Sequence, residues 1–170
     1  MPIKTKIEWA DYISNPLKAT HEAGPYRMNG GDPGTKRGDA CVKGSEGCTH
    51  CWAGNFNIRL GTGLGYTQPN MDKVQMFLDE AELKRMRTFV PRTPKSGSFK
   101  NGRERAVIFP CDMTDLFGEW VSDEWIDRIF FAMHITPHVD WFVLTKRTDR
   151  MRNYLADKCN RGGVAFSNIF

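Results

Sequence analysis

The sequence lacks any long apolar run. A membrane-spanning helix needs about 20 consecutive apolar residues, and no stretch of the 170-residue chain approaches that length. The amino-terminal segment 1–9 carries lysines but has neither the apolar core nor the small-residue cleavage site of a signal peptide. Internal repeats and low-complexity segments are absent as well. These absences argue against a membrane protein or an exported protein, and they predict a cytoplasmic one.

The composition is that of one ordinary globular domain. Hydrophobic residues make up 40% of the chain and charged residues 26%, and a chain of this length can bury one sizeable core. We therefore expect a single domain over residues 1–170. The formal net charge of +4 is mild, and basic residues cluster only between positions 84 and 105. That stretch has two open interpretations, a solvated loop or a surface that contacts phosphate or RNA.

Cysteine is present in an odd number, so a complete disulfide framework would leave one residue over. Of the five cysteines, Cys41, Cys48 and Cys51 lie close together with the spacing C-x6-C-x2-C. In a chain of this size without a signal sequence, thiols are more often reduced, metal-bound or catalytic than paired. A C-x2-C pair places two sulfurs on one turn, and the flexible segment 44–47 lets the third approach. The three cysteines are therefore predicted to bind a metal ion or an iron-sulfur cluster.

The fourth ligand of such a centre is left open by the spacing. A closed tetrahedral site for zinc would take its fourth ligand from His50, His21, Cys111 or Cys159. A cluster that binds a ligand at one unique iron would instead leave the fourth position free. The spacing is compatible with both alternatives, and also with three thiols that bind no metal.

The second half of the chain alternates strand and helix patterns. Apolar runs at 106–110 and 141–144 predict two buried strands. Between them, Ser122 is placed to cap a helix whose apolar residues recur at helical spacing over 125–133. A further helix is predicted to begin at Thr148. The order strand, helix, strand, helix predicts an α/β fold with a parallel sheet and right-handed crossovers.

Polar residues follow both predicted strands. Asp112 and Asp115 come after the first strand, and Lys146 and Arg147 come after the second. Because ligands of α/β sheets gather at the carboxyl ends of the strands, these four residues are candidates for binding a cofactor. A carboxylate at this edge can accept hydrogen bonds, and a Lys-Arg pair can hold a carboxylate or a phosphate. The alternative roles are capping of a helix or turn for the aspartates and a surface ion pair for the cations.

The first half of the chain is less regular. The segment 17–50 is predicted to be an irregular loop that leads into the cysteines, because residues 29–47 are crowded with Gly, Asp and Lys and contain a Pro and few apolar residues. Residues 52–60 are predicted to form a helix, with the glycines at 61, 63 and 65 as its end and the following turn rather than a phosphate-binding loop. Shorter patterns predict strands at 6–9 and 74–78 and a helix at 79–86.

Five motifs in one order resemble a known family. They are Ile7-Glu8-Trp9-x-Asp11, Asn15-Pro16, the cysteine motif with Trp52-Ala53, the run from Phe109-x-Cys111-Asp112 to Glu119, and Val143-Leu144-Thr145-Lys146-Arg147. Together they resemble a largely phage-encoded three-cysteine-motif family of poorly known function. Members of that family look like divergent relatives of radical S-adenosylmethionine enzymes.

This resemblance implies a fold, a cofactor and a reaction. The fold would be a partial (β/α) barrel of the radical SAM type, truncated after three or four strands. A [4Fe-4S] cluster would bind to the three cysteines, and S-adenosylmethionine would bind to the fourth iron, with Asp112 or Asp115 at the edge that contacts its amino group. One electron would cleave S-adenosylmethionine to methionine and a deoxyadenosyl radical that takes hydrogen from a substrate. Neither the substrate nor the catalytic residues can be read from the sequence.

The resemblance also implies a partner and a location. The family is often encoded beside a partner protein named for the same three-cysteine motif, which predicts a hetero-complex. A phage-encoded chain would act in the host cytoplasm. A function of another class stays open, namely a non-catalytic zinc-binding module that contacts nucleic acid or a partner protein.

Overall fold

The structure is a computed structural model that describes residues 2–22 and 34–160. This part of the chain forms two small sheets and five α-helices. The strands are β1 (Ile3–Lys4), β2 (Tyr12–Ser14), β3 (Leu17–Glu22), β4 (Thr35–Gly38), β5 (Val74–Leu78), β6 (Val107–Pro110) and β7 (Asp140–Trp141). The helices are α1 (Trp52–Leu60), α2 (Gln68–Met71), α3 (Glu80–Arg87), α4 (Asp123–His134) and α5 (Thr148–Asn160).

The first sheet has the strand order β1-β2-β6-β7. Strands β2, β6 and β7 run parallel, with Ile13 opposite Phe109 and Ile108 opposite Trp141, whereas β1 pairs with β2 antiparallel. The parallel strands follow one another in space as they do in the chain, and α4 connects β6 to β7. The predicted parallel sheet is confirmed, as are the helices at α1, α4 and α5.

The second sheet is antiparallel, has the order β4-β3-β5, and is inserted between β2 and β6. Its presence shows that the prediction of an irregular loop over 17–50 was wrong for Leu17–Glu22 and Thr35–Gly38, which are strands. Strand β3 forms because it has a hydrogen-bonded partner on each side, and such long-range pairing leaves little trace in local composition. The part of the predicted loop at 23–33 lies outside the described residues. The predicted strand at 74–78 is confirmed as β5.

The predicted strand at 6–9 was wrong. This segment is a loop with a turn between β1 and β2, and it curls around the ammonium group of Lys100. The Nζ atom of Lys100 donates hydrogen bonds to the carbonyl oxygens of Thr5, Ile7 and Ala10, each over 2.7 Å. Three carbonyls that point at one cation cannot also adopt the alternating directions of a strand.

The predicted strand at 141–144 is shorter in the structure, where β7 ends at Trp141. The Phe142 N–H still donates to the Ile108 carbonyl over 3.0 Å. In a parallel ladder the next bond would come from the N–H of residue 110, but Pro110 has none. The ladder therefore stops, and residues 142–147 extend past the end of β6 toward the candidate site.

The main core lies where α3, α4 and α5 pack together with the loop after β6. It is built around the buried side chains of Leu83, Phe117, Ile126, Ile129 and Tyr154. As predicted, Ser122 caps α4, since its hydroxyl accepts from the Trp125 N–H over 3.3 Å. The core holds the loops at the carboxyl ends of β6 and β7 in place.

Strands β1 and β7 are the outer strands of the first sheet, so the described residues do not close a barrel. Within the same residues, no helix has the length and apolar character needed to cross a bilayer.

Truncation of Phe117 tests this core. Its side chain is 0% exposed, and its ring centroid lies 6.4 Å from that of Phe130 and 5.8 Å from that of Tyr154. We expect Phe117→Ala to lower the free energy of unfolding by about 3–5 kcal/mol, because buried apolar contacts are lost and a cavity remains. Urea unfolding followed by circular dichroism measures the change. Phe131→Ala removes a ring on α4 that is 52% exposed, and a loss as large as that of Phe117→Ala would contradict the assignment of the core.

Candidate metal centre

The three cysteines lie in the connection between β4 and α1. Cys41 follows β4, Cys48 is the last residue of a short 3-10 helix (Glu46–Cys48), and Cys51 is the N-cap of α1. The C-x2-C pair forms a tight turn in which the Cys51 N–H donates to the Cys48 carbonyl over 3.3 Å. The loop therefore carries one sulfur on its lead-in and two on the turn that starts the helix.

All three thiols are free and partly buried. Cys41 and Cys51 pack against the same small cluster, which is formed by Ala53, Tyr66 and Met113. The Tyr66 hydroxyl donates to the Met113 carbonyl over 2.6 Å, and burial raises the pKa of this phenol, so it stays a donor at neutral pH. The cluster thus fixes two of the three cysteines beside the residues that follow β6.

The described residues contain no group of three His, Cys, Asp or Glu side chains already arranged as a metal site. The four candidates for a fourth ligand have other surroundings. His21 lies on β3 and contacts the Thr62 carbonyl, Cys111 is buried in the main core, and Cys159 is exposed on α5. His50 is exposed within the cysteine loop.

Asp115 is the centre of the polar edge after β6. Its carboxylate is buried and accepts four hydrogen bonds, from the Phe117 N–H (3.0 Å), the Thr145 hydroxyl (2.7 Å), the Lys146 N–H (2.9 Å) and the Arg147 guanidinium (3.2 Å). Three of the four donors come from the segment after β7. The loops that follow two parallel strands are therefore held together by one carboxylate.

Arg147 connects that carboxylate to the cysteine loop. Only 10% of its side chain is exposed, and its guanidinium also donates to Glu119 over 3.0 Å and to the Val42 carbonyl over 2.8 Å. The same guanidinium lies over the Trp120 ring, 4.6 Å from the centroid. Such a planar cation fits a stacked and multiply bonded position that a lysine cannot fill.

Cys41 is held on both sides along the backbone. The Ala40 carbonyl accepts from the Thr114 hydroxyl over 2.6 Å, and the Val42 carbonyl accepts from Arg147. Burial raises the pKa of the Cys41 thiol to about 11, because the nearby Arg147 charge only partly offsets the loss of water. The first cysteine is therefore positioned as a protonated thiol in the metal-free chain.

Cys48 has a different environment, with Lys146 close to its loop. A methyl group at Gly47 would lie 2.6 Å from the Lys146 Nζ, so the ammonium group packs directly against this glycine. Burial raises the pKa of the Cys48 thiol, but hydrogen bonds from Gly44 and Ser45 and the Lys146 charge outweigh it, and the pKa is lower than usual. A lowered pKa favours the thiolate, the form that binds metals.

Asp112 joins the ends of β2 and β6. Its Oδ1 accepts from the Asn15 side-chain amide over 2.5 Å, and the Asn15 oxygen accepts from the Met113 N–H over 3.3 Å. The other oxygen, Oδ2, is buried and has no partner among the residues that the structure describes. Burial raises the pKa of this carboxyl group. An unpartnered buried carboxylate oxygen costs free energy unless a ligand donates to it.

Two residues near the site were missed by the sequence analysis. Tyr66 lies in a loop after Gly65, where no pattern indicates that it will pack under the cysteines. Asn57 is buried in α1 and bonds to the Asp39 N–H and to Thr62, so it fixes the turn that follows the helix. The available signal for Asn57 was its position, because it lies four residues after Ala53 and therefore on the same, inward face of the helix.

Comparison with known proteins identifies the family of this chain. A family model matches residues 36–170, which include all three cysteines and both polar edge segments. The chain belongs to this family. Its description is a protein of unknown function (DUF5131). Searches of curated proteins and of solved structures found no match, so the relation to the three-cysteine-motif family and to radical enzymes stays a prediction.

The different environments of Cys41 and Cys48 predict different reactivities in the metal-free chain. With a pKa of about 11 for Cys41, roughly one molecule in a thousand carries the thiolate at pH 8. We expect iodoacetamide to modify Cys48 at least about tenfold faster than Cys41 at this pH. The Cys41 rate should then rise about tenfold for each pH unit, up to its pKa. Mass spectrometry of the peptides measures both rates, with exposed Cys159 as internal reference, and equal rates at pH 8 would contradict the described environments.

Proposed function

We propose that this chain holds a [4Fe-4S] cluster on Cys41, Cys48 and Cys51 and binds S-adenosylmethionine at the adjacent sheet edge. The proposal rests on one observation. A loop with three free thiols lies beside the charges of Lys146 and Arg147 and near the unpartnered Oδ2 of Asp112, all at the carboxyl ends of parallel strands. The donor set fits the cluster, because thiolates are its usual protein ligands.

An open three-ligand centre accounts for the surroundings better than a closed zinc site. A structural zinc ion takes four protein ligands. Cys111 is 3% exposed within the main core and lies outside the cysteine loop. Cys159 and His21 lie on other elements, and His50 is the remaining candidate within the loop. A zinc ion held by the three cysteines and His50 is the alternative that the metal content distinguishes.

The residues of the edge have distinct roles in this proposal. When bound, the cluster would supply the electron that cleaves S-adenosylmethionine to methionine and a radical able to take hydrogen from a substrate. Lys146 and Arg147 place positive charge beside the thiolates and stabilise their ionised form. Asp115 acts through its neighbours, since its oxygens already accept four bonds from the chain. The Oδ2 atom of Asp112, which has no partner among the described residues, would accept a hydrogen bond from the amino group of the cosubstrate.

The remaining parts of the proposal concern the fold and the partners. Parallel strands β2, β6 and β7 in chain order, with helices α4 and α5 after β6 and β7, are what a partial (β/α) barrel requires. We propose a hetero-complex with a partner of the same three-cysteine motif and a location in the cytoplasm, that of the host if the chain is phage-encoded. The reaction's substrate is not part of the proposal.

Replacement of one cysteine tests the cluster. After anaerobic reconstitution with iron and sulfide, we expect about four irons and four sulfides per chain and a broad absorption near roughly 400 nm. Cys48→Ala should lose this absorption, because two thiolates cannot retain the cluster. Cys159→Ala, which removes an exposed cysteine on α5, should retain it. One tightly bound zinc per chain without iron would sink the proposal and favour the zinc-binding module.

Replacement of Asp112 tests the cosubstrate site. We expect Asp112→Asn in the reconstituted protein to weaken S-adenosylmethionine binding about tenfold or more, because a charge-assisted hydrogen bond is lost. The iron content should not change. Isothermal titration calorimetry measures the affinity, and deoxyadenosine released after addition of a reductant reports cleavage. Asp149→Asn, at an exposed carboxylate on α5, is the matched control. Equal affinities of the two variants would show that Asp112 does not contact the cosubstrate.

A further inference from the structure

The outward face of α1 carries large apolar side chains. Trp52 is 56% exposed, Phe56 46% and Leu60 69%, and they recur every four residues, so they lie along one side of the helix. Asn55 and Arg59 are exposed on the same side. We call these five residues the α1 face. A surface helix normally turns its large apolar residues toward the core, and α1 does the opposite.

The inward side of α1 is built from small and polar residues. Ala53, Gly54 and Asn57 are buried, and a methyl group on Gly54 would lie 3.5 Å from the Tyr66 ring. The helix therefore packs closely onto the cysteine loop without using its aromatic residues. Trp52 and Phe56 contact each other edge to face, with centroids 6.2 Å apart and ring planes at 70°. The two rings therefore form one exposed apolar patch, and interaction surfaces are commonly built around such patches.

The charge around the α1 face is positive. Arg59 is exposed and forms no ion pair within the part of the chain that the structure describes. Lys36 is exposed too, and its ammonium group lies beside Gly63, three residues past the end of the helix. Between Cys41 and Gly65 the sequence contains a single acidic residue, Glu46. The α1 face thus combines aromatic rings, a side-chain amide and one unpaired cation, with Lys36 nearby.

We propose that the α1 face binds single-stranded nucleic acid. Bases would stack on Trp52 and Phe56, and phosphates would pair with Arg59 and Lys36. Every unpaired base offers a flat face to an aromatic ring, whereas the bases of a duplex are already stacked. Because Trp52 directly follows Cys51, a strand bound here would pass beside the candidate metal centre. The binding itself does not need a metal, so the proposal stands or falls separately from the cluster.

Fluorescence anisotropy with a labelled single-stranded oligonucleotide tests the proposal on the full chain without added metal. We expect salt-dependent binding of the single strand and much weaker binding of the matching duplex. Trp52→Ala and Phe56→Ala should each weaken binding roughly tenfold, through loss of base stacking. Arg59→Ala should reduce the slope of log affinity against log salt by about one.

Matched controls separate the α1 face from the rest of the surface. Phe131→Ala removes a ring on α4 that is 52% exposed, and Arg152→Ala removes an exposed cation on α5; neither should change the affinity. The proposal is overturned if the oligonucleotide does not bind, if the duplex binds equally well, or if Phe56→Ala binds as tightly as Phe131→Ala. Sedimentation velocity tests whether a second copy of the chain occupies the α1 face instead. A dimer that dissociates in Phe56→Ala would make the α1 face an interface between copies and would overturn the proposal.

Discussion

The buried ion pair between Asp115 and Arg147 is the interaction on which the candidate site depends. Two charges removed from water are favourable only when hydrogen bonds satisfy their remaining donors and acceptors. Here Asp115 also binds the main chain after both β6 and β7, and Arg147 also binds Glu119, Trp120 and the Val42 carbonyl. This ion pair thereby fixes the relative positions of two strand ends and the cysteine loop. An apolar contact of similar size would not align these three segments so specifically.

The position of the cysteine loop follows from the same arrangement. The loop belongs to an insertion between neighbouring parallel strands, and Thr114 and Arg147 bring it back to the carboxyl edge by holding the carbonyls on either side of Cys41. Cys41 and Cys48 consequently have different surroundings, an apolar pocket for Cys41 and a cationic, hydrogen-bonded turn for Cys48. One spacing motif therefore yields at least two chemically unequal thiols.

Local patterns predicted much of the second half of the chain, because β6, α4 and α5 have apolar periodicity and Ser122 supplies a cap. Strand β3 was missed since it is paired with β5, more than 50 residues away, and β4 was missed since it depends on its pairing with β3. The turn at 6–9 depends on the Lys100 ammonium, and the early end of β7 depends on the missing N–H of Pro110. For the candidate site, the residues and their position at the carboxyl edge of the sheet could be predicted from the sequence. The role of Asp115 was not, because its partner Thr145 lies 30 residues away.

The insertion between β2 and β6 also has a consequence for folding. The hydrogen bond between Asn15 and Asp112 closes a separation of 97 residues, and the neighbouring Asp11 to Val107 bond closes one of 96. Contacts of such range are slow to form, since loop entropy must be overcome before they contribute any stability. The antiparallel sheet and α1 lie within this span and shorten it when they form. We therefore expect the antiparallel sheet and α1 to form before β2 pairs with β6.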